Sequence, residues 1–297
     1  MAGGELTAPA STGARAPLAQ VRVPTRSARG ELRAIKVVWQ RELIRFSRDR
    51  LRILTSLMQP FLFLFVLGTG LSKIASAGTH GVNLKTFVYP GVLCMAVMFT
   101  AMFSAASLVW DREFGFLREM MVAPVRRSSL VLGKCLGGAT VAGFQGVIVL
   151  CLAGLVGVPY AGGLLLEVFA IQLLLAFTIT AFGVMVAARV AQMQSFMALM
   201  QMAIMPMYFI SGALFPVSGL PQWLTILNRI DPLTYAVDPI RRAVFRHLDI
   251  SASARRVLDP GVTWWGWHVP SGLEAGVVAL LGMIMLSVAI VQFSRAE

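Results

Sequence analysis

The sequence has little charge for its length. Asp, Glu, Lys and Arg make up 13% of its 297 residues, whereas 57% are hydrophobic. A soluble domain usually carries about 25% charged residues. The low charge, with a mean hydropathy of +0.74, therefore excludes an ordinary soluble protein and predicts an integral membrane protein.

Motifs for catalysis, metals and nucleotides are also missing. The three cysteines form no CxxC pair, the three histidines are far apart, and neither HExxH nor GxSxG occurs. Gly133 and Lys134 are followed by Cys135 and lack the upstream glycine of a phosphate-binding loop. We therefore expect this chain to be neither an enzyme nor a cofactor-binding protein, and to bind no metal.

The formal charge of +12 does not indicate nucleic-acid binding, because the basic residues flank apolar runs and form no separate basic domain. The basic N-terminus has no apolar stretch close behind it, so we do not expect a signal peptide. Residues 1–30 are rich in small residues, Pro and Arg, and are predicted to form a disordered cytoplasmic tail.

What the sequence does contain is six apolar runs. Each has roughly 20 residues or more, enough for a helix to cross a hydrocarbon core of about 30 Å. They predict an all-α membrane protein whose six transmembrane helices form one domain at 53–297. The predicted spans are 53–71, 87–109, 135–158, 163–187, 193–216 and 274–293.

Residues 31–52 predict a different kind of helix. Leu32, Ile35, Trp39 and Phe46 share one narrow stripe, and arginines lie on the opposite side. This pattern is typical of an amphipathic helix that lies in the membrane interface rather than across the membrane.

The distribution of Lys and Arg predicts the orientation. Eighteen flank one side of the predicted spans and eight the other, so both termini are expected in the cytoplasm, with the protein in the inner (plasma) membrane. The long segment 217–273 would then be external. We expect it to form short re-entrant or surface helices broken by prolines, with a tryptophan cluster at 264–267 anchoring the last span. The high Ala, Gly, Val and Arg content is typical of a GC-rich bacterium.

The predicted cytoplasmic loop 110–134 has a helical pattern of its own. Read as a helix from residue 111, it gathers Phe114, Leu117 and two methionines on one side and charged residues on the other. Pro124 ends this helix, and a pair of arginines follows. Charges of both signs beside an apolar face favour a docking element for a soluble partner over a plain solvated loop.

Two segments carry a resemblance to a known family. The loop contains EFGFLREMMVAPVRR at 113–127, and the external segment contains NRIDPLTYAVDPIR at 228–241. Together they resemble the signatures of ABC type-2 exporter permeases, the family of the daunorubicin-resistance permease. In the second segment Asp231 stands where many relatives have Asn, and Pro239 interrupts the end of the motif.

The resemblance implies that the permease and the ATPase are separate subunits. Two permease copies, expected to be a homodimer, work with two ATP-binding subunits on a separate chain, and ATP and Mg are bound there. The loop then acts as a coupling helix in a groove of the ATPase, and 31–52 acts as the connecting helix. The coupling residues that the resemblance implies are Glu113, Phe114, Gly115, Arg118, Glu119, Pro124 and Arg127.

Methionines and phenylalanines mark a candidate transport path. Flexible thioethers suit a promiscuous apolar surface, and they also fill gaps between membrane helices. With a path at the dimer interface, the expected substrate is a lipophilic or amphiphilic compound, such as a drug or an antibiotic whose export gives resistance. The candidate lining is Met95, Met98, Phe99, Met102, Phe103, Met197 and Met200.

Other functions stay open at this point. A permease for a glycolipid or polysaccharide is the main alternative, followed by an ATP-independent carrier. Carriers driven by ions use buried ionisable residues as relays. We expect such residues to be scarce here, with Glu167 in the fourth span as the one clear case. A membrane enzyme is the least favoured class, because no catalytic constellation is visible.

Overall fold

The computed structural model describes six stretches of the chain, residues 27–70, 83–115, 125–217, 221–248, 251–264 and 266–295. Within them the protein is almost entirely helical. The helices are α1 (Ala28–Arg48), α2 (Arg50–Gly70), α3 (Leu84–Glu113), α4 (Arg127–Leu150), α5 (Gly162–Ala187), α6 (Met193–Ile210), α7 (Gln222–Ile230), α8 (Thr234–Arg246), α9 (Ala252–Leu258) and α10 (Ser271–Arg295). Most of the predicted tail at 1–30 lies outside the described residues, and α1 begins at Ala28.

Six helices, α2 to α6 and α10, are long and apolar enough to cross a membrane. The predicted all-α fold with six spans is therefore confirmed. The third span differs in position: α4 runs over Arg127–Leu150, whereas apolarity alone predicted 135–158. The predicted span starts after Lys134 because a lysine lowers the local hydropathy. In the folded chain, however, Lys134 belongs to α4, and its side chain is buried and paired with two carboxylates.

Helix α3 is the centre of the bundle. It contacts α2, α4, α5, α6 and α8, and 89% of its most apolar window is buried inside the protein. The helices α2, α6 and α10 lie at the periphery, where about a fifth of the corresponding window is buried (18%, 22% and 22%). We call the end of the bundle where α3 ends and α4 begins the inner end, following the orientation that the sequence predicts, and the opposite end the outer end.

Helix α1 lies against α4 at unusually close range. A Cβ atom added to Gly133 would lie 2.8 Å from the Cβ of Val38, and one added to Gly137 would lie 2.8 Å from the Cβ of Glu42. Small residues four apart let two helices approach in this way. The predicted helix 31–52 is interrupted at Asp49, whose carboxylate caps α2 by accepting a hydrogen bond from the Arg52 amide at 3.0 Å.

The outer segment folds over the outer end of the bundle. Helix α7 follows Pro221, as predicted, but α8 continues through Pro239, so the expectation that prolines break this region is wrong there. Proline removes one backbone hydrogen bond, but tertiary contacts just after it hold α8 in place, where Arg241 and Arg242 donate to the carbonyls of Gly212 and Val269. An antiparallel hairpin of Thr263–Trp264 (β1) and Trp267–His268 (β2), which the sequence did not predict, precedes α10.

Candidate functional site

A groove of 520 Å³ opens between α2, α3 and α6. Its two sides differ in chemistry. The α2 side carries polar groups, and the α3 and α6 sides carry methionine and phenylalanine. The groove can therefore accept a molecule with one polar and one apolar face.

The polar side is a stripe along α2. Arg52, Thr55, Ser56 and Gln59 recur at the spacing that places residues on one face of a helix. The Thr55 and Ser56 hydroxyls donate to carbonyls three residues earlier, at 3.1 and 2.9 Å, which lowers the cost of holding them in a membrane. The Arg52 guanidinium lies 5.6 Å from the centre of the Phe103 ring and links the two sides.

The predicted transport-path residues divide into two groups. Met95, Phe99, Phe103 and Met197 line the groove. The other three, Met98, Met102 and Met200, are at most 3% exposed and pack inside the helical core. Because α3 is surrounded by other helices, some of its methionines and phenylalanines face the core and others face the groove.

The sequence-based prediction missed the polar stripe of α2. The predicted interfacial helix 31–52 includes Arg52, and the predicted span 53–71 includes Thr55, Ser56 and Gln59. Their spacing within a predicted span was a usable signal, since polar residues in a transmembrane helix face a cavity or another helix.

A cluster of buried charges lies at the inner end, near the groove. The Lys134 ammonium donates to Glu42 and to Asp111, each at 2.6 Å, and to the Ser107 hydroxyl at 2.9 Å. The three charged side chains are only 3–4% exposed. Arg41 forms a further ion pair with Asp111. We call Arg41, Glu42, Asp111 and Lys134 the inner ion cluster.

The inner ion cluster corrects two expectations. Buried ionisable residues are not limited to Glu167, which forms a partly exposed ion pair with Arg246 at 2.5 Å. Asp111 and Arg112 do not belong to a separate loop helix, because α3 continues to Glu113. Hydropathy did not reveal this because it scores each side chain alone, whereas a charge is tolerated inside a membrane protein when it is paired.

The predicted coupling residues can be placed only in part. Arg118, Glu119 and Pro124 lie outside the described residues. Glu113, Phe114 and Gly115 are exposed at the end of α3, with Phe114 at 70%. Gly115 has φ = +81°, a left-handed conformation that favours glycine and ends the helix.

Residues on both sides of that loop hold the ends of other helices. Arg112 donates to carbonyls that follow α5, at 3.0 Å to Ala188 and to Val190. The Arg127 guanidinium donates to the Ser294 carbonyl near the end of α10 at 2.9 Å. Arginines at such positions satisfy carbonyls that the helix leaves unbonded. The coupling role that the resemblance implies for Arg127 stays a prediction.

Helix α1 bridges the same loop. The Glu31 carboxylate accepts hydrogen bonds from the Arg126 amide at 3.0 Å and from the Ser129 hydroxyl at 2.5 Å. Through the inner ion cluster, α1 is also joined to α3 and α4. A displacement of the loop would therefore act on α1, α5 and α10 together.

The segment 228–241, which carries the second family signature, contacts the ends of two spans at the outer end of the bundle. The Asn228 amide donates to the Ile210 carbonyl at 2.7 Å, and Arg241 donates to the Gly212 carbonyl while lying 4.6 Å from the Phe87 ring centre. Burial raises the pKa of the Asp231 carboxyl to about 7, against the opposing effect of a 3.0 Å hydrogen bond from the Leu233 amide. These contacts connect α7 and α8 to the ends of α6 and α3.

No group of three or more His, Cys, Asp and Glu side chains suited to a metal ion occurs within the stretches that the structure describes. The charges of the inner ion cluster include two cations and are balanced by one another. The arrangement can hold helices together and can transmit movement between them.

Comparison with known proteins gives consistent matches. A profile of the ABC-2 type transporter family matches residues 33–245. A protein described as a transport permease, ycf38, of Cyanophora paradoxa is 29% identical over 209 residues, which cover 69% of this chain and 72% of the relative.

Two further relatives have names that refer to more specific roles. Nodulation protein J of Rhizobium leguminosarum bv. trifolii is 29% identical over 214 residues, covering 71% of this chain and 80% of the relative. A protein of Mycobacterium tuberculosis described as the doxorubicin resistance ABC transporter permease DrrC is 27% identical over 203 residues, covering 68% and 73%.

Proposed function

This chain belongs to the ABC-2 type transporter family, and from that premise we propose that it exports a lipophilic or amphiphilic compound from the cytoplasm. ATP would be hydrolysed by a separate subunit, which would also bind the Mg. The observation that carries the proposal is the two-sided groove between α2, α3 and α6, with arginine, hydroxyl and amide groups facing methionine and phenylalanine. Such a surface adapts to ligands of varied shape.

The proposed substrate class is drug-like. The similarity to a doxorubicin-resistance permease supports it, as does the apolar side of the groove. Export of a glycolipid or polysaccharide is the alternative, and the similarity to nodulation protein J supports that alternative. Binding of lipophilic dyes, compared with binding of lipid-linked saccharides, separates the two. The proposal requires micromolar dye binding that Phe103→Ala weakens, whereas binding of saccharides alone would favour the alternative.

The proposed assembly is a homodimer of this chain with two ATPase subunits. Large apolar side chains on the peripheral faces of α2 and α6 support it, because a second copy placed there would close the open side of the groove. The exposed residues are Leu54, Met58, Phe61 and Val66 on α2, and Leu199, Met202 and Phe209 on α6.

In the proposed mechanism the ATPase acts on the loop between α3 and α4. Closure of the ATPase on ATP would displace the loop, and the loop flanks would move α1, α5 and α10 through Arg112, Arg127 and Glu31. The groove would then open toward the outer end. A ligand on one subunit thus biases a two-state element in another.

The test uses proteoliposomes that contain the chain and the ATPase that co-purifies with it. Arg118→Glu reverses a charge on the loop, and a charge-assisted contact contributes about 1.5–3 kcal/mol. We expect ATP-driven dye export to fall about ten- to a hundredfold, while ATP hydrolysis continues.

Arg189→Glu is the matched control, because Arg189 is exposed on the other inner connection, between α5 and α6. It should export dye like the wild type. Normal export by Arg118→Glu would contradict coupling through this loop, and equal loss in both variants would indicate a general charge effect.

A further inference from the structure

A second cavity, of 670 Å³, lies in the outer segment, away from the groove. It lies between α7, α9 and the hairpin and is partly open to the surface. Its charged lining consists of three arginines, Arg229, Arg255 and Arg256, and one acid, Asp259. Three guanidinium groups outnumber the one carboxyl group, so the cavity carries an excess of positive charge. We call it the outer basic pocket.

Helix α7 places this pocket at the membrane surface. Trp223, Ile226 and Ile230 form one face of the helix and are 63%, 50% and 68% exposed. Thr225, Asn228 and Arg229, on the other face, line the pocket. A short helix with a bare apolar face lies in the membrane interface with that face against the acyl chains. The opposite face, with the pocket, is then at the level of the lipid headgroups.

The scaffold of the pocket is held by hydrogen bonds. The Tyr235 hydroxyl donates to the Arg229 carbonyl at 2.6 Å and accepts from the Trp264 indole at 3.0 Å. Arg255 uses one of its nitrogens on the Phe245 carbonyl at 2.8 Å, which leaves other N–H groups for a ligand. Hydrogen bonds therefore hold the backbone at Arg229 and the side chain of Arg255 in place.

Guanidinium groups bind phosphate through pairs of parallel hydrogen bonds. We propose that the outer basic pocket binds the phosphate headgroup of an anionic membrane lipid, with its acyl chains beside the apolar face of α7. A free phosphate or a phosphorylated metabolite offers the same anion, but the exposed Trp and Ile residues of α7 favour a ligand that also has acyl chains. The inference does not depend on the exported compound.

The test offers the detergent-purified chain an equimolar mixture of phosphatidylglycerol and phosphatidylcholine with identical acyl chains. Native mass spectrometry then counts the lipids retained. The wild type should retain phosphatidylglycerol preferentially. Arg229→Gln with Arg256→Gln should lower the affinity for phosphatidylglycerol at least about tenfold, with phosphatidylcholine retention unchanged.

The matched control removes two exposed arginines at the inner end, Arg189→Gln with Arg295→Gln. It loses the same charge and should keep the preference for phosphatidylglycerol. Arg256→Gln alone should cause an intermediate loss, and because Arg256 is exposed, this variant is expected to fold even where the double variant does not. Thermal unfolding in phosphatidylcholine nanodiscs checks the fold of each protein.

A competition arm separates the sources of the anion. Millimolar inorganic phosphate or glycerol 3-phosphate should not displace phosphatidylglycerol from the wild type. Displacement by either one would show a site for a free anion and overturn the proposal. Equal retention in the pocket variant and the control would overturn it as well, as would equal retention of both lipids by the wild type.

Discussion

At the scale of single residues, Lys134 shows how charge is accommodated in this bundle. It lies inside a helix that crosses the membrane and is 4% exposed. Two carboxylates, on α1 and α3, contact its ammonium, and Arg41 offsets the second negative charge. Separation of α1 from the bundle would leave buried charges without partners, so the inner ion cluster fixes α1 in place.

We therefore expect Lys134→Met to destabilise the protein by about 3–5 kcal/mol, because it leaves Glu42 and Asp111 buried without their shared cation. Thermal unfolding in nanodiscs measures the change. Lys36→Met is the control, since Lys36 is an exposed residue of α1, and it should stay within about 0.5 kcal/mol of the wild type. Equal stabilities of the two variants would show that the cluster does not hold α1.

At the scale of elements, two buried carboxyl groups in the outer segment link stability to pH, one in the turn between α7 and α8 and one at the end of α9. Burial raises the pKa of Asp231 to about 7 and that of Asp259 to about 6. In the unfolded chain an aspartate has a pKa near 3.9. The folded protein therefore binds more protons than the unfolded chain between about pH 4 and pH 7, and stability falls as pH rises through that window.

Asp231→Asn should reduce this dependence. The amide oxygen of asparagine can still accept the hydrogen bond from the Leu233 amide, but it has no charge to desolvate. Thermal unfolding from pH 4 to pH 8 should show a flatter profile and a gain at pH 8, at about 1.4 kcal/mol for each unit of raised pKa. Asp49→Asn, at an exposed helix cap, should keep the wild-type slope. A wild-type slope in Asp231→Asn would rule out this carboxyl as the source.

The elements differ in how far the sequence could predict them. The sequence predicts all six spans, because the apolarity of a span is summed over many residues and one polar residue changes the sum little. The start of α4 was missed because the pairing partners of Lys134 come from helices distant in sequence. The continuity of α8 through Pro239 was missed for a similar reason, since its anchoring contacts are tertiary.

The candidate site could also be predicted from the sequence only in part. The methionines and phenylalanines of α3 and α6 were identified from composition and spacing, but which of them face the groove depends on how α2 packs. The polar stripe of α2 was overlooked although its spacing was readable. Membership of the inner ion cluster could not be predicted, because it joins residues from α1, α3 and α4.

At the scale of the whole molecule, a buried central helix is surrounded by peripheral helices with exposed apolar faces. The loop flanks connect the inner ends of α1, α3, α4, α5 and α10. The groove is open on the side where α2 and α6 lie. This architecture suits the proposed gate, which a partner moves from the inner end, and the buried charges join α1, α3 and α4.

We propose that this chain is a passive gate driven by ATP hydrolysis on another subunit. The most direct test is dye export from liposomes that contain the purified chain alone, compared with liposomes that also contain the co-purifying ATPase. We expect export only when both proteins and ATP are present, and none when an ion gradient replaces ATP. Export by the chain alone, driven by an ion gradient, would contradict the proposal.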